Sequence, residues 1–164
     1  MGQSTSIVLD VNVLDVTIDA GQSKRGSARN ITSATLANGT TAGKADVNYS
    51  DPSRTLGASG TTSYDLSGSL TDVNGEAAVF AKVKLIDVLN EGPGIITVER
   101  PSSNGLPFLS AAGDSIPVDV GGRISLYYPV GITVTAGAGD LLDVTADGSG
   151  ATFSLIVAGT SAQV

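Results

Sequence analysis

Short runs of β-forming residues, cut about every 8–12 residues by glycine-rich turn signals, constrain this chain more than any other feature of its sequence. Asp65–Thr71 alternates Leu66, Gly68 and Leu70 on one face, and Asn74-Gly75 after it is the strongest short hairpin signal in the chain. Ala77–Leu89 reads as a strand with Val79, Ala81, Val83 and Leu85 on one face and Phe80, Lys82, Lys84 and Ile86 on the other. Glu91-Gly92-Pro93-Gly94 reads as a turn before a strand at Ile95–Glu99. Pro101–Leu109 is expected as a loop whose Leu106, Phe108 and Leu109 tuck beneath a sheet. Further strands are expected at Ser115–Val120, Arg123–Tyr128, Ile132–Ala136, Leu141–Thr145 and Thr152–Val157, with Gly121-Gly122, Pro129, Ala136–Asp140 and Ala146–Gly150 between them. Small and β-branched residues dominate and aromatics are only 4% of the chain, which favours strands and tight turns over helices. The expected fold is all-β: an antiparallel β-sandwich, jelly-roll-like.

The first 60 residues differ in texture. Ser6–Asp19 carries period-2 alternation, and Val8-Leu9-Asp10-Val11 is echoed at Val13-Leu14-Asp15-Val16. An echo offset by five residues swaps the exposed face, so the segment predicts one long bulged strand or a tight pair of strands. Ala20–Lys44 is small, polar and weakly periodic, and is expected as an extended arm or connection that buries little. The resulting division is 1–60, an N-terminal strand and extended arm, and 61–164, the sandwich.

The residue types that are missing bound the chemistry. The 164 residues include no His and no Cys, which removes imidazole acid–base catalysis, Ser-His and Cys-His pairs, disulfides and ordinary zinc sites. A net charge of -7 disfavours a nucleic-acid phosphate surface, and Lys24, Arg25 and Arg29, the densest cationic group, read as a solvated turn. No apolar run approaches the ~20 residues of a membrane-spanning helix, and no basic start with an apolar core marks a secretory signal. No nucleic acid and no membrane are therefore expected as partners, and no enzymatic activity.

The remaining constellations are weighed against plainer readings. Asp140, Asp143 and Asp147 surround the last hairpin, where a calcium site is conceivable, but they read better as turn aspartates because the EF-hand spacing is absent. Asp10, Asp15 and Asp19 read as the solvent face of a strand. Tyr127-Tyr128 before Pro129 reads as a core/rim pair at a strand end rather than a sugar platform, since the chain has no Trp. Gly137-Ala138-Gly139 lacks the Lys-Ser/Thr and the helix start that a phosphate loop needs. No catalytic, cofactor-binding or metal-ligating residue is assigned.

Several stretches follow one another from Ala45 onward: Tyr49–Leu56, Asp65–Asp72, Phe80–Lys84, Val120–Arg123, Val134–Asp140 and Phe153–Gly159. Their order resembles a family of small bacteriophage virion structural proteins, over roughly the last two-thirds of the chain. The resemblance implies a phage particle and a jelly-roll-like sandwich, and it brings no catalytic residues. A compact acidic sandwich with an N-terminal strand and arm that reach onto neighbouring subunits is expected to act in capsid decoration (cement): a homo-oligomer, as a trimer, bound to the major capsid protein on the outer capsid surface. A tail or head fibre module that binds a host receptor, with a pocket at the Tyr127/Tyr128 strand ends, is the alternative.

Overall fold

Alternation of apolar and polar residues along segments of four to twelve residues produces strands that bury one face, and from Val47 onward eight of them stack as two sheets. The structure is a computed structural model that describes residues 5–19, 22–72 and 75–163, with side chains described from Leu36 on. Its elements are β1 (Thr5–Asp19), β2 (Gln22–Leu36), β3 (Val47–Leu56), β4 (Thr61–Asp65), β5 (Lys82–Pro93), β6 (Ile96–Glu99), β7 (Ser115–Val118), β8 (Arg123–Thr133), β9 (Leu141–Ala146) and β10 (Ala151–Thr160). No helix occurs among the described residues.

One sheet has the order β3-β10-β5-β8 and the other β4-β9-β6-β7, every pair antiparallel. Of the seven connections from β3 to β10, six cross from one sheet to the other, and only β6 to β7 stays within a sheet. The core lies between them. Val83, Ile86, Val88, Phe153, Leu155 and Val157 of the first sheet meet Ile96, Val98, Leu142 and Val144 of the second in one buried cluster. The fold is an antiparallel β-sandwich.

Four local readings change. Asp65–Thr71 is not a strand: β4 stops at Asp65, and Leu66–Ser69 form a turn with Leu66 fully buried. The turn signal at Asn74-Gly75 does not join neighbouring strands, because β4 and β5 lie in different sheets. It closes a small loop in which Asp72 N donates to Glu76 O at 2.7 Å, with Asn74 itself outside the described residues. Glu91–Pro93 is the end of β5 rather than a turn. Finally, Arg123–Tyr128 runs on through Thr133 as a single β8, which takes in only the start of the strand expected at Ile132–Ala136 and is interrupted where Val83 pairs with Ile132 but Leu85 with Tyr127. Pro129 is tolerated there because β8 is an edge strand; Pro52 and Pro117 likewise lie in the edge strands β3 and β7.

That interruption also breaks the alternation expected along β5. Lys84 has no partner in either register, against β8 or against β10, and is the extra residue of a bulge. The bulge shifts the phase by one, so Val83 and Ile86 both enter the main core while Leu85 turns to the outer face. Val79, expected on Val83's face, lies before the strand and is exposed, and Phe80 is buried.

The N-terminal region also differs from its expected form. Instead of a bulged strand followed by an extended arm, β1 and β2 pair antiparallel without a register shift from Thr5↔Leu36 to Asp19↔Gln22, as a two-stranded sheet. β3, which precedes residue 60, pairs with β10 across one register shift.

Candidate interaction surfaces

Where β2 ends, Leu36 begins a short segment that crosses the outer face of the first sheet. Leu36 and Ala45 pack on Leu85 and Ala158 in a second buried cluster, made possible by the bulge that turned Leu85 outward. The segment closes on itself through Ala45 N to Ala37 O at 2.9 Å. It is fastened to β8 by Gly43 N to Pro129 O at 3.0 Å and to β10 by Asp46 N to Gly159 O at 3.0 Å. Lys84 fixes it from beneath. Its side chain is 1% exposed, and its ammonium donates to the carbonyls of Thr41 at 2.5 Å, Lys44 at 2.7 Å and Thr40 at 3.4 Å. Burial pulls this ammonium below the usual lysine range, with Lys82 adding in the same direction and Asp46 opposing. Sequence reasoning placed Lys84 on a strand face but missed the clasp, because a bulge has no signature in a run of alternating residues.

The remainder of that outer face mixes an ion pair with apolar groups. Asp87, almost fully buried, receives Arg123 Nε at 2.9 Å and Nη2 at 2.7 Å, and Ser125 Oγ donates to it as well. The bidentate contact raises the Arg123 pKa above its ordinary value. Tyr127 and Ile156 flank this pair, 37% and 39% exposed, and Val130 in the irregular part of β8 is 68% exposed. Tyr128 is held away from Tyr127, its hydroxyl donating to Phe108 O at 3.1 Å. The other two tyrosines pack edge to face, Tyr49 against Tyr64 with centroids 5.8 Å apart, and burial with a hydrogen bond to Asp51 raises the Tyr64 pKa far above the phenol range.

Among the described residues, no group of three or more His, Cys, Asp and Glu is arranged to hold a metal ion. The three aspartates of the last hairpin are not brought together: Asp140 and Asp147 serve separate turns, and Asp143 lies within β9, opposite Ser63 of β4. Asp143 accepts from Ser63 Oγ at 2.5 Å. Asp147 accepts from Ile95 N at 3.0 Å and Ser149 N at 2.7 Å, and these amides hold its carboxyl below the usual range. Asp140 is buried and accepts from Gly137 N at 2.6 Å. The side chains of Asp10, Asp15, Asp19, Lys24, Arg25 and Arg29 lie outside the described residues. An open pocket of about 220 Å³ is lined by Asp46, Asp72 and Glu76 together with Val47, Asn48 and Ala78. Leu106 and Phe108 are buried in the main core and Leu109 packs against it, as their loop was expected to provide.

No family model and no curated protein matches the chain. Among solved structures it is similar to the crystal structure of PirA, with 18% identity, 70% of this chain and 95% of that chain covered, and a TM-score of 0.38. A likeness this slight carries no argument about what the chain does.

Proposed function

We propose that this chain is a structural protein of a bacteriophage particle, a decoration protein that binds the major capsid protein lattice from outside and stabilises the head. The observation that carries the reading is the β1–β2 ribbon, paired over the full length of both strands and joined to the sandwich by the Lys84-clasped segment. Fifteen residues per strand extend about 50 Å. A lone two-stranded ribbon is marginal in water, so one of this length gains from lying on another protein, where its free edges and faces find partners. The strand order supports the same reading: β3-β10-β5-β8 facing β4-β9-β6-β7 is the order of an eight-stranded double Greek key, and we infer a jelly roll from it. Acidity suits an outer surface, away from packaged DNA. A trimer at a symmetry axis would multiply weak contacts into avidity.

The receptor-binding alternative asks for a pocket at the Tyr127/Tyr128 strand ends. It gains no support from Tyr128, which is tied to Phe108 O while Tyr127 faces outward. The test is cosedimentation of the full chain and of residues 37–164 with capsids lacking the protein, read with copy number on a stained gel and with capsid melting. Expected are hundreds of full-length copies per capsid and a rise in capsid melting temperature, with both lost on removing the ribbon. A few copies per particle, or equal binding without the ribbon, overturns the reading.

A further inference from the structure

Three Asn-Gly pairs occur in the chain, at Asn38, Asn74 and Asn104. An asparagine followed by glycine can be attacked by its own backbone, because the glycine has no side chain to block its nitrogen from the asparagine side-chain carbonyl. Whether the attack happens depends on how freely the peptide plane between the two residues turns. Asn74 lies outside the described residues, and the structure separates the other two. Asn104 is held in the left-handed region at φ 58°, and its carbonyl accepts from Asp140 N at 2.8 Å and Leu141 N at 2.9 Å. That carbonyl shares a rigid plane with Gly105 N, and Gly105 is buried so tightly that an added Cβ would lie 2.3 Å from Pro101 O. This plane is locked. Asn38 is exposed, and no hydrogen bond reaches its carbonyl among the described residues. Gly39 N donates to Ala45 O at 3.3 Å, beyond the usual length of such a bond. Gly39 itself is demanded by the fold: its φ is 137°, and an added Cβ would meet Lys44 Cδ at 2.9 Å.

We propose that Asn38 converts spontaneously to aspartate and isoaspartate, and that the conversion loosens the clasped segment from the sandwich. Gly39 N, its proton taken by hydroxide, bonds to Asn38 Cγ; the Cγ–Nδ2 bond breaks and the amide leaves as ammonia. Water then opens the succinimide. Cleavage at Cγ restores the chain with aspartate, whereas cleavage at the main-chain carbonyl carbon routes the backbone through Cβ and Cγ. One water is consumed and one ammonia released, with no oxidant or cofactor. The site sits between two fixed points: Leu36, packed with Leu85 and Ala158, and the Thr40, Thr41 and Lys44 carbonyls held by Lys84. Isoaspartate adds a backbone carbon between them and either product adds a negative charge, so the bonds from Lys84 and from Ala45 N to Ala37 O lose their spacing. The chemistry requires no capsid and stands apart from the decoration reading.

The test ages the full chain in warm, mildly alkaline buffer made with oxygen-18 water, beside the same chain unfolded in urea and a free peptide of residues 35–41. Trypsin places the three pairs on separate peptides, Asn30–Lys44, Thr55–Lys82 and Leu85–Arg123, and mass spectrometry reads the amide-to-acid change and the new oxygen in each. Isoaspartyl methylation counts the isomerised share. Expected is conversion of Asn38 in the folded chain within about threefold of the free peptide, while Asn104 converts at least about tenfold more slowly folded than unfolded, since it must wait for local opening. Asn38→Gln, a change at an exposed side chain, should leave Asn30–Lys44 unmodified at that position over the same time. Hydrogen exchange at the amides of residues 39–46 should speed several-fold in converted chains and stay at the starting rate in aged Asn38→Gln. Asn38 still intact when the free peptide has converted, folded Asn104 converting as fast as Asn38, or unchanged exchange in converted chains overturns the proposal.

Discussion

Ile86→Ala tests the bulge on which the clasped segment depends. Ile86 is fully buried in the main core only because Lys84 is looped out of the ladder; alternation running unbroken from Val83 would turn Ile86 to the outer face. Truncation removes three carbons, worth about 2.4 kcal/mol at ~0.8 kcal/mol per buried methylene. The cavity left behind adds about 1–2 kcal/mol, because a sandwich held from both sheets collapses only partly. The expected loss is thus about 3.5–4.5 kcal/mol, or a melting temperature lower by roughly 7–18 °C for a chain of this size. Ile156→Ala is the matched control: the same truncation in the same sheet, at a residue 39% exposed on the outer face, should cost about 1 kcal/mol or less. Urea unfolding of the three proteins with a common slope measures both. A cost under 1 kcal/mol for Ile86→Ala, or a larger cost for Ile156→Ala, would mean that β5 has no bulge and that the register against β8 is wrong.

Two other expectations concern charged groups. Lys84→Met keeps the aliphatic stem, removes a buried charge, and leaves the Thr40, Thr41 and Lys44 carbonyls in a loop that water reaches. Global stability should therefore change by no more than about 1–2 kcal/mol, while hydrogen exchange at the amides of residues 39–46 speeds at least tenfold; unchanged exchange there would refute the clasp. The Asp147 carboxyl is held below its ordinary value by the Ile95 amide first and the Ser149 amide second, so its contribution is present above the unfolded value and is lost as pH falls through the folded one. The stability advantage of the unaltered chain over Asp147→Asn should be constant above about pH 5 and shrink below about pH 4, and an advantage independent of pH would refute the assignment.

What the sequence determined by itself was local. Valine, isoleucine and leucine at period two, cut by glycine, made strands of β6, β7, β9 and β10 nearly where they were expected, and the missing His and Cys narrowed the chemistry before any coordinate was known. Tertiary structure decided whatever depended on the identity of the neighbour. β3 and β4 have half-polar sequences that become strands only because β10 and β9 pair with them. The polar residues 22–36 read as an arm because nothing in them announces β1 as a partner in register. Asn74-Gly75 signalled a hairpin, and the flanking residues do pair antiparallel at Thr71↔Ala77, but β4 and β5 belong to opposite sheets and are not the strands it joins. Lys84 read as one member of an alternating face, yet the ladders on both sides exclude it and three carbonyls from a loop some forty residues earlier capture its ammonium. Periodicity records which side of a strand is apolar. It does not record which strand lies beside it, and in a sandwich whose connections nearly all cross between sheets, that neighbour is distant in sequence and set only by how the whole core closes.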